Sequence, residues 1–161
     1  MYDAINALRL ALADDKPLSQ ARCKALFAEG IDYLHRKRGL DKAIMEGMVI
    51  QRRLALTRRL AKLVSTSNCQ ITVDRPSTPP SSIHDVLAWT EDSLTGGMPV
   101  LVTLTGGLEH HTVIAGATAK ALQLFDSSGL RFIRKSSCGL RDGYYQIPPN
   151  SLFRIAVHRS G

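Results

Sequence analysis

The chain has 161 residues, 44% of them apolar and 22% charged, with a net charge of +7, a makeup that allows one ordinary globular domain with a packed core and no metal or disulfide staple. No apolar run approaches the roughly 18 residues that a membrane-spanning helix needs. Asp3, Arg9, Asp14 and Asp15 interrupt the stretch where a signal peptide would be continuous, so a soluble, cytoplasmic chain is expected. Three cysteines (Cys23, Cys69 and Cys138) with no CxxC spacing argue against a disulfide framework and against a ready-made zinc site.

Ile5, Leu8 and Leu12 form an apolar stripe of helical period, which Asp14-Asp15-Lys16-Pro17 breaks. Ser19 is placed to cap a second helix, in which Cys23, Leu26, Phe27, Ile31 and Leu34 recur before Gly39 ends it. Asp41 is expected to cap a third, with Met45, Met48, Val49, Leu56, Leu60 and Leu63 on one face. Arg52, Arg53, Arg58, Arg59 and Lys62 then fall on its other faces. This helical half, residues 1–66, holds 13 Lys/Arg against 7 Asp/Glu, whereas the remainder holds 8 against 7. Such a basic surface can bind phosphate, and nucleic acid is therefore one alternative partner. No aromatic interleaving, helix-turn-helix spacing or zinc motif accompanies it, and solvated helix faces are the simpler expectation.

Cys69 to Val73 reads as a short strand, followed by the proline-rich turn Arg75–Pro80. Ser82 caps a helix with Ile83, Val86, Leu87 and Leu94, closed by Gly96-Gly97. The period then switches to two. Strands are predicted at Pro99–Thr103, His111–Ala115, Ala121–Phe125, Arg131–Arg134, Tyr144–Ile147 and Leu152–Val157. Helices first and a meander of strands afterwards predict a single α+β domain over 1–161, N-terminal helices packed on a C-terminal antiparallel sheet.

The candidate chemistry lies in this sheet. His110 opens one predicted strand and Asp126 closes the next, with a short turn between, so an antiparallel hairpin brings them to one rim. A carboxylate beside an imidazole orients the ring and stabilises its protonated form, as a general base requires. The plainer alternative is a pair of exposed histidines beside the turn Asp126-Ser127-Ser128-Gly129. His110 and His111 are neighbours on a strand and point to opposite faces, so with Asp126 they make a poor metal site.

Three pieces within residues 82–135 carry a resemblance: Gly97-Met98-Pro99-Val100-Leu101-Val102, then His110-His111-Thr112-Val113-Ile114-Ala115-Gly116, then Asp126-Ser127-Ser128-Gly129. Together they are similar to the C-terminal half of the bacteriocin-processing, double-glycine type cysteine peptidases and their papain-like relatives. The resemblance implies a papain-like fold and a thiol hydrolase that cleaves a peptide or related amide or ester bond through a thioester, without a cofactor. His110 matches the family's catalytic histidine, His111 the aromatic position after it, and Asp126 the orienting acid. The family's nucleophile is a cysteine at the start of a buried helix, preceded by a glutamine that holds the oxyanion. Cys23 and Gln20 are the matching candidates, although Gln20 is only three residues ahead and Lys24 stands where glycine is expected. Cys23 also falls on an apolar stripe, so a buried structural thiol is the alternative, as is a cysteine lying upstream of Met1. Cys69 heads a strand and Cys138 lies in a loop, so neither begins a helix. A non-catalytic papain-like domain that binds a peptide or protein partner is the other reading.

Overall fold

The computed structural model of the chain describes residues 1–14 and 17–160. Asp15 and Lys16, part of the expected helix break, lie outside the described residues. Among the described residues, five α-helices and an eight-stranded sheet make an α+β arrangement, as the change of period predicts.

Helix α1 (Tyr2–Ala11) buries Ala4, Ile5, Ala7 and Leu8 along one stripe, and Leu12 is buried just past its end. Each such leucine contributes about 2 kcal/mol when removed from water. Helix α2 (Gln20–Arg36) starts where Ser19 accepts a hydrogen bond from the Arg22 amide at 3.2 Å. The expected third helix is two helices, α3 (Leu40–Met45) and α4 (Ile50–Val64). Gly47 adopts φ +81° between them, a left-handed turn that lets glycine interrupt the helix without strain. The cap of α3 is Gly39, with Asp41 in the first turn, and Met45 and Val49 are exposed, not turned inward. Helix α5 (Ile83–Thr95) carries a full capping box between Ser82 and Asp85.

The strands are β1 (Cys69–Asp74), β2 (Val100–Gly106), β3 (His110–Ala117), β4 (Ala121–Leu124), β5 (Phe132–Arg134), β6 (Cys138–Gly139), β7 (Tyr145–Gln146) and β8 (Phe153–Arg159). Their order is β1-β8-β2-β3-β4-β5, with β7 extending the far end of β2 and pairing in parallel with β6. The meander expectation thus holds from β2 to β5, while the last strand returns to sit between β1 and β2. Alternation along each strand builds two cores. Leu101, Val113, Phe153 and Ile155 pack with α1, α2 and α4 on one face, and Val100, Val102, Leu104 and Ile114 pack with Val86 of α5 on the other. Among the described residues, no helix is long and apolar enough to cross a membrane.

Candidate functional site

His110 is the first residue of β3, opposite Leu104 of β2. Strand β4 ends at Leu124, but the Phe125 amide still donates to the Val113 carbonyl at 2.9 Å, which carries the chain alongside β3 for another step. Asp126 therefore arrives beside His110, and its Oδ2 lies 2.5 Å from His110 Nε2. The Asp126 side chain is 1% exposed and that of His110 22%, so the acid is shielded while the imidazole reaches the surface.

Ser128 fixes the carboxylate from behind. Its amide and its hydroxyl both donate to Asp126 Oδ1, at 2.7 and 2.6 Å, which leaves Oδ2 for the histidine. Burial alone pushes the Asp126 carboxyl up. The donors from Ser128, the nearby Thr112 hydroxyl and His110 outweigh it and bring the carboxyl down to about 2. The Thr112 hydroxyl is buried without a full hydrogen bond, yet it lies close enough to favour the charge. Because this acid is depressed on folding, its contribution is present above the ordinary carboxylate range and is lost as pH falls through about 2. Removing the hydroxyl with Ser128→Ala is expected to raise the Asp126 carboxyl and to cost about 1 kcal/mol at neutral pH. Carboxyl carbon titration by NMR and denaturant melts measure the two effects, and an unmoved carboxyl would show that the amide of residue 128 suffices.

A charged carboxylate at Nε2 requires a proton on that nitrogen, so in the neutral ring it is Nδ1 that carries the lone pair. Among the described residues Nδ1 has no hydrogen-bond partner. His110 borders an open cleft of about 700 Å³. The N-terminal end of α1 (Met1, Tyr2 and Asp3), Met48–Gln51, Thr103 and His111 also line it. An imidazole held in this way can take up or deliver a proton for a group bound in that cleft.

Below the cleft lies a buried ion pair. Arg53 of α4 donates from Nε to Asp3 Oδ2 at 2.5 Å, and both side chains are almost fully buried. Burial pushes the Asp3 carboxyl up, but the guanidinium prevails and holds it well below the usual carboxylate range. His111 faces this pair, and burial together with the Arg53 charge lowers it, so it stays neutral at pH 7. Neither Arg53 nor Asp3 was singled out by spacing, since four arginines of the same stretch look alike in sequence.

Cys23 and Gln20 are not brought to this rim. They occupy the first turn of α2, beyond the far end of α1, where the Cys23 thiol lies 3.9 Å from the Leu18 carbonyl and packs against the core. A second cavity at that end is lined by Leu12, Leu18, Arg22, Leu63 and Cys69, residues remote from the start of α1. The ten residues of α1 separate the two ends by about 15 Å. Cys138 sits in β6, where burial pushes its thiol up to about 11. Among the described residues, no group of three or more His, Cys, Asp or Glu side chains is placed to hold a metal ion.

Of the basic helix residues, Arg53 is buried, Arg58 reaches the Val73 carbonyl at 3.4 Å, and Arg59 meets Glu29 at 3.4 Å beside the Tyr33 ring. Less free positive charge is displayed than the residue count suggests. The chain matches no family model, no curated protein and no solved structure.

Proposed function

We propose that the cleft is the reaction groove of a papain-like hydrolase of peptide or related amide bonds, with His110 as general base and Asp126 as its orienting acid. The observation that carries the reading is the 2.5 Å contact between a shielded carboxylate and a partly exposed imidazole at the cleft edge. The N-terminal end of α1 supports it, because a helix start favours a thiolate, and that end faces the cleft. It is there, and not at Cys23, that a nucleophile served by His110 belongs.

A second reading is favoured by the lining of the same cleft. Among the described residues no thiol borders it, while exposed Tyr2 and Val49 give it an apolar rim. On that reading the groove holds an extended peptide or protein segment without cutting it, and His110 supplies a hydrogen bond.

Incubation with an unfolded polypeptide such as reduced, alkylated casein separates the two. New termini detected by mass spectrometry and lost in His110→Ala support the hydrolase. Binding without cleavage, weakened by His110→Ala, supports the binding domain, and absence of both sinks both. The position of the nucleophile has its own test. The thiol introduced by Tyr2→Cys is expected to react with iodoacetamide about tenfold faster than the three native thiols, and to lose that advantage in His110→Ala. Equal rates would show that the start of α1 is not where this base acts.

A further inference from the structure

The residues under the cleft form one directional hydrogen-bond chain. Arg53 Nη1 donates to Thr103 Oγ1 at 3.0 Å, Thr103 Oγ1 lies 3.0 Å from His111 Nδ1, and His111 Nε2 lies 3.2 Å from the Met48 carbonyl. A guanidinium can only donate and a carbonyl can only accept, so the directions at both ends are fixed. Thr103 must accept from Arg53 and pass its own proton to Nδ1, and His111 must carry its proton on Nε2. The same guanidinium donates to the carbonyls of Val102 at 3.0 Å and Thr112 at 3.3 Å, and to Asp3 of α1. One buried side chain thus ties together the start of α1, β2 and the strand that bears His110.

We propose that Arg53 and His111 are positioning residues of the cleft. Arg53 fixes the start of α1 against β2 and β3, and through Thr103 it sets the His111 tautomer that grips the Met48 carbonyl. Met48–Gln51 then stand as a fixed wall of the cleft that His110 also lines. The inference rests on reading the cleft as a peptide groove. It explains how a segment with few other ties is held. Gly47 is in the left-handed region, Met45 and Val49 are exposed, and among the described residues the His111 hydrogen bond is the polar tie from Glu46–Val49 to the sheet, beside the packing of the Met48 side chain on the core.

The charged and titratable groups around His111 are Arg53 from α4, Asp3 and the Met1 amine from α1, Glu46 at the cleft wall, His110 on its own strand and Glu109 just before that strand. Burial disfavours its cation first and Arg53 second, which agrees with a ring that serves as a neutral tether and not as a proton carrier.

Two substitutions in the full chain test this. His111→Gln keeps a side-chain N–H donor at similar reach, whereas His111→Leu keeps the bulk and removes the donor. Amide hydrogen exchange over residues 47–51 is expected to run about tenfold faster in His111→Leu and to stay within about twofold of the wild type in His111→Gln. Nitrogen NMR of the wild-type rings is expected to show His111 as the Nε2–H tautomer. If His111→Leu does not fold, Thr103→Val removes the preceding link, and the same acceleration is expected there. Equal exchange in every variant, or an Nδ1–H tautomer in the wild type, overturns the proposal. Accelerated exchange in a protein that neither binds nor cuts polypeptide would keep the positioning role and discard the peptide groove.

Discussion

Arg53→Met is expected to cost about 3 kcal/mol or more of folding stability, among the largest losses available from one substitution in this chain. The side chain is 2% exposed and makes four hydrogen bonds, to Asp3, Thr103, Val102 and Thr112, while its guanidinium carbon lies 5.0 Å from the centre of the Phe153 ring. Methionine keeps much of the packing against Phe153 but removes a donor from every one of those acceptors. Asp3 suffers most, since it remains buried with only the Met1 amine, at 2.8 Å, as counter-charge. Removing the second partner relieves this debt. The double variant Asp3→Leu with Arg53→Met is expected to recover to within about 2 kcal/mol of the wild type, because a buried pair replaced by apolar groups often breaks even. Denaturant melts of the wild type, both single variants and the double variant measure the coupling. Additive losses would mean that the pair does not act as a unit.

Much of the fold was legible because hydrophobic period is a local property. The stripe of Ile5 and Leu8 announces α1, Ser82 announces the cap of α5, and the apolar run Pro99–Thr103 announces a strand, which the structure buries on both faces. The His110–Asp126 contact was legible for the same reason. A hairpin with a short turn leaves little freedom in which residues meet, even with the register shift between Ile114 and Gly116. What escaped depends on distant packing. Gly47 reads as a tolerated glycine within one long helix, and only the turn it makes separates α3 from α4. The place of β8 between β1 and β2 is decided by which sheet edge is free when the chain returns.

The candidate site divides along the same line. Arg52, Arg53, Arg58 and Arg59 are indistinguishable by spacing, yet Arg53 alone of these turns into the core, where Asp3 waits fifty residues earlier in the chain. Cys23 met the local test for a nucleophile, being near the start of a helix after a glutamine. That helix begins at the far end of α1, and nothing in its own sequence says so.

Asp126→Asn is expected to reduce any His110-dependent cleavage by about 10⁴-fold at neutral pH, although the change removes one charge and almost no volume. The reason lies in the two donors of Ser128. Its amide and hydroxyl both point at Oδ1, so an asparagine must place its carbonyl oxygen there and turn its amide nitrogen toward His110. The group facing Nε2 changes from an acceptor to a donor. To accept from it, the imidazole must move its own proton to Nδ1, the nitrogen that Asp126 and Ser128 leave without a partner. A base whose lone pair faces inward takes no proton from a nucleophile, and the orienting charge that stabilised its cation is gone as well. Ring nitrogen NMR is expected to show His110 switched to the Nδ1–H tautomer in this variant. Ser128→Ala combined with Asp126→Asn keeps only the amide donor at residue 128, so that the asparagine flips more easily and part of the wild-type tautomer returns. If Asp126→Asn leaves both the tautomer and the rate unchanged, the carboxylate does not orient the histidine, and the assignment of a base–acid pair at this rim fails.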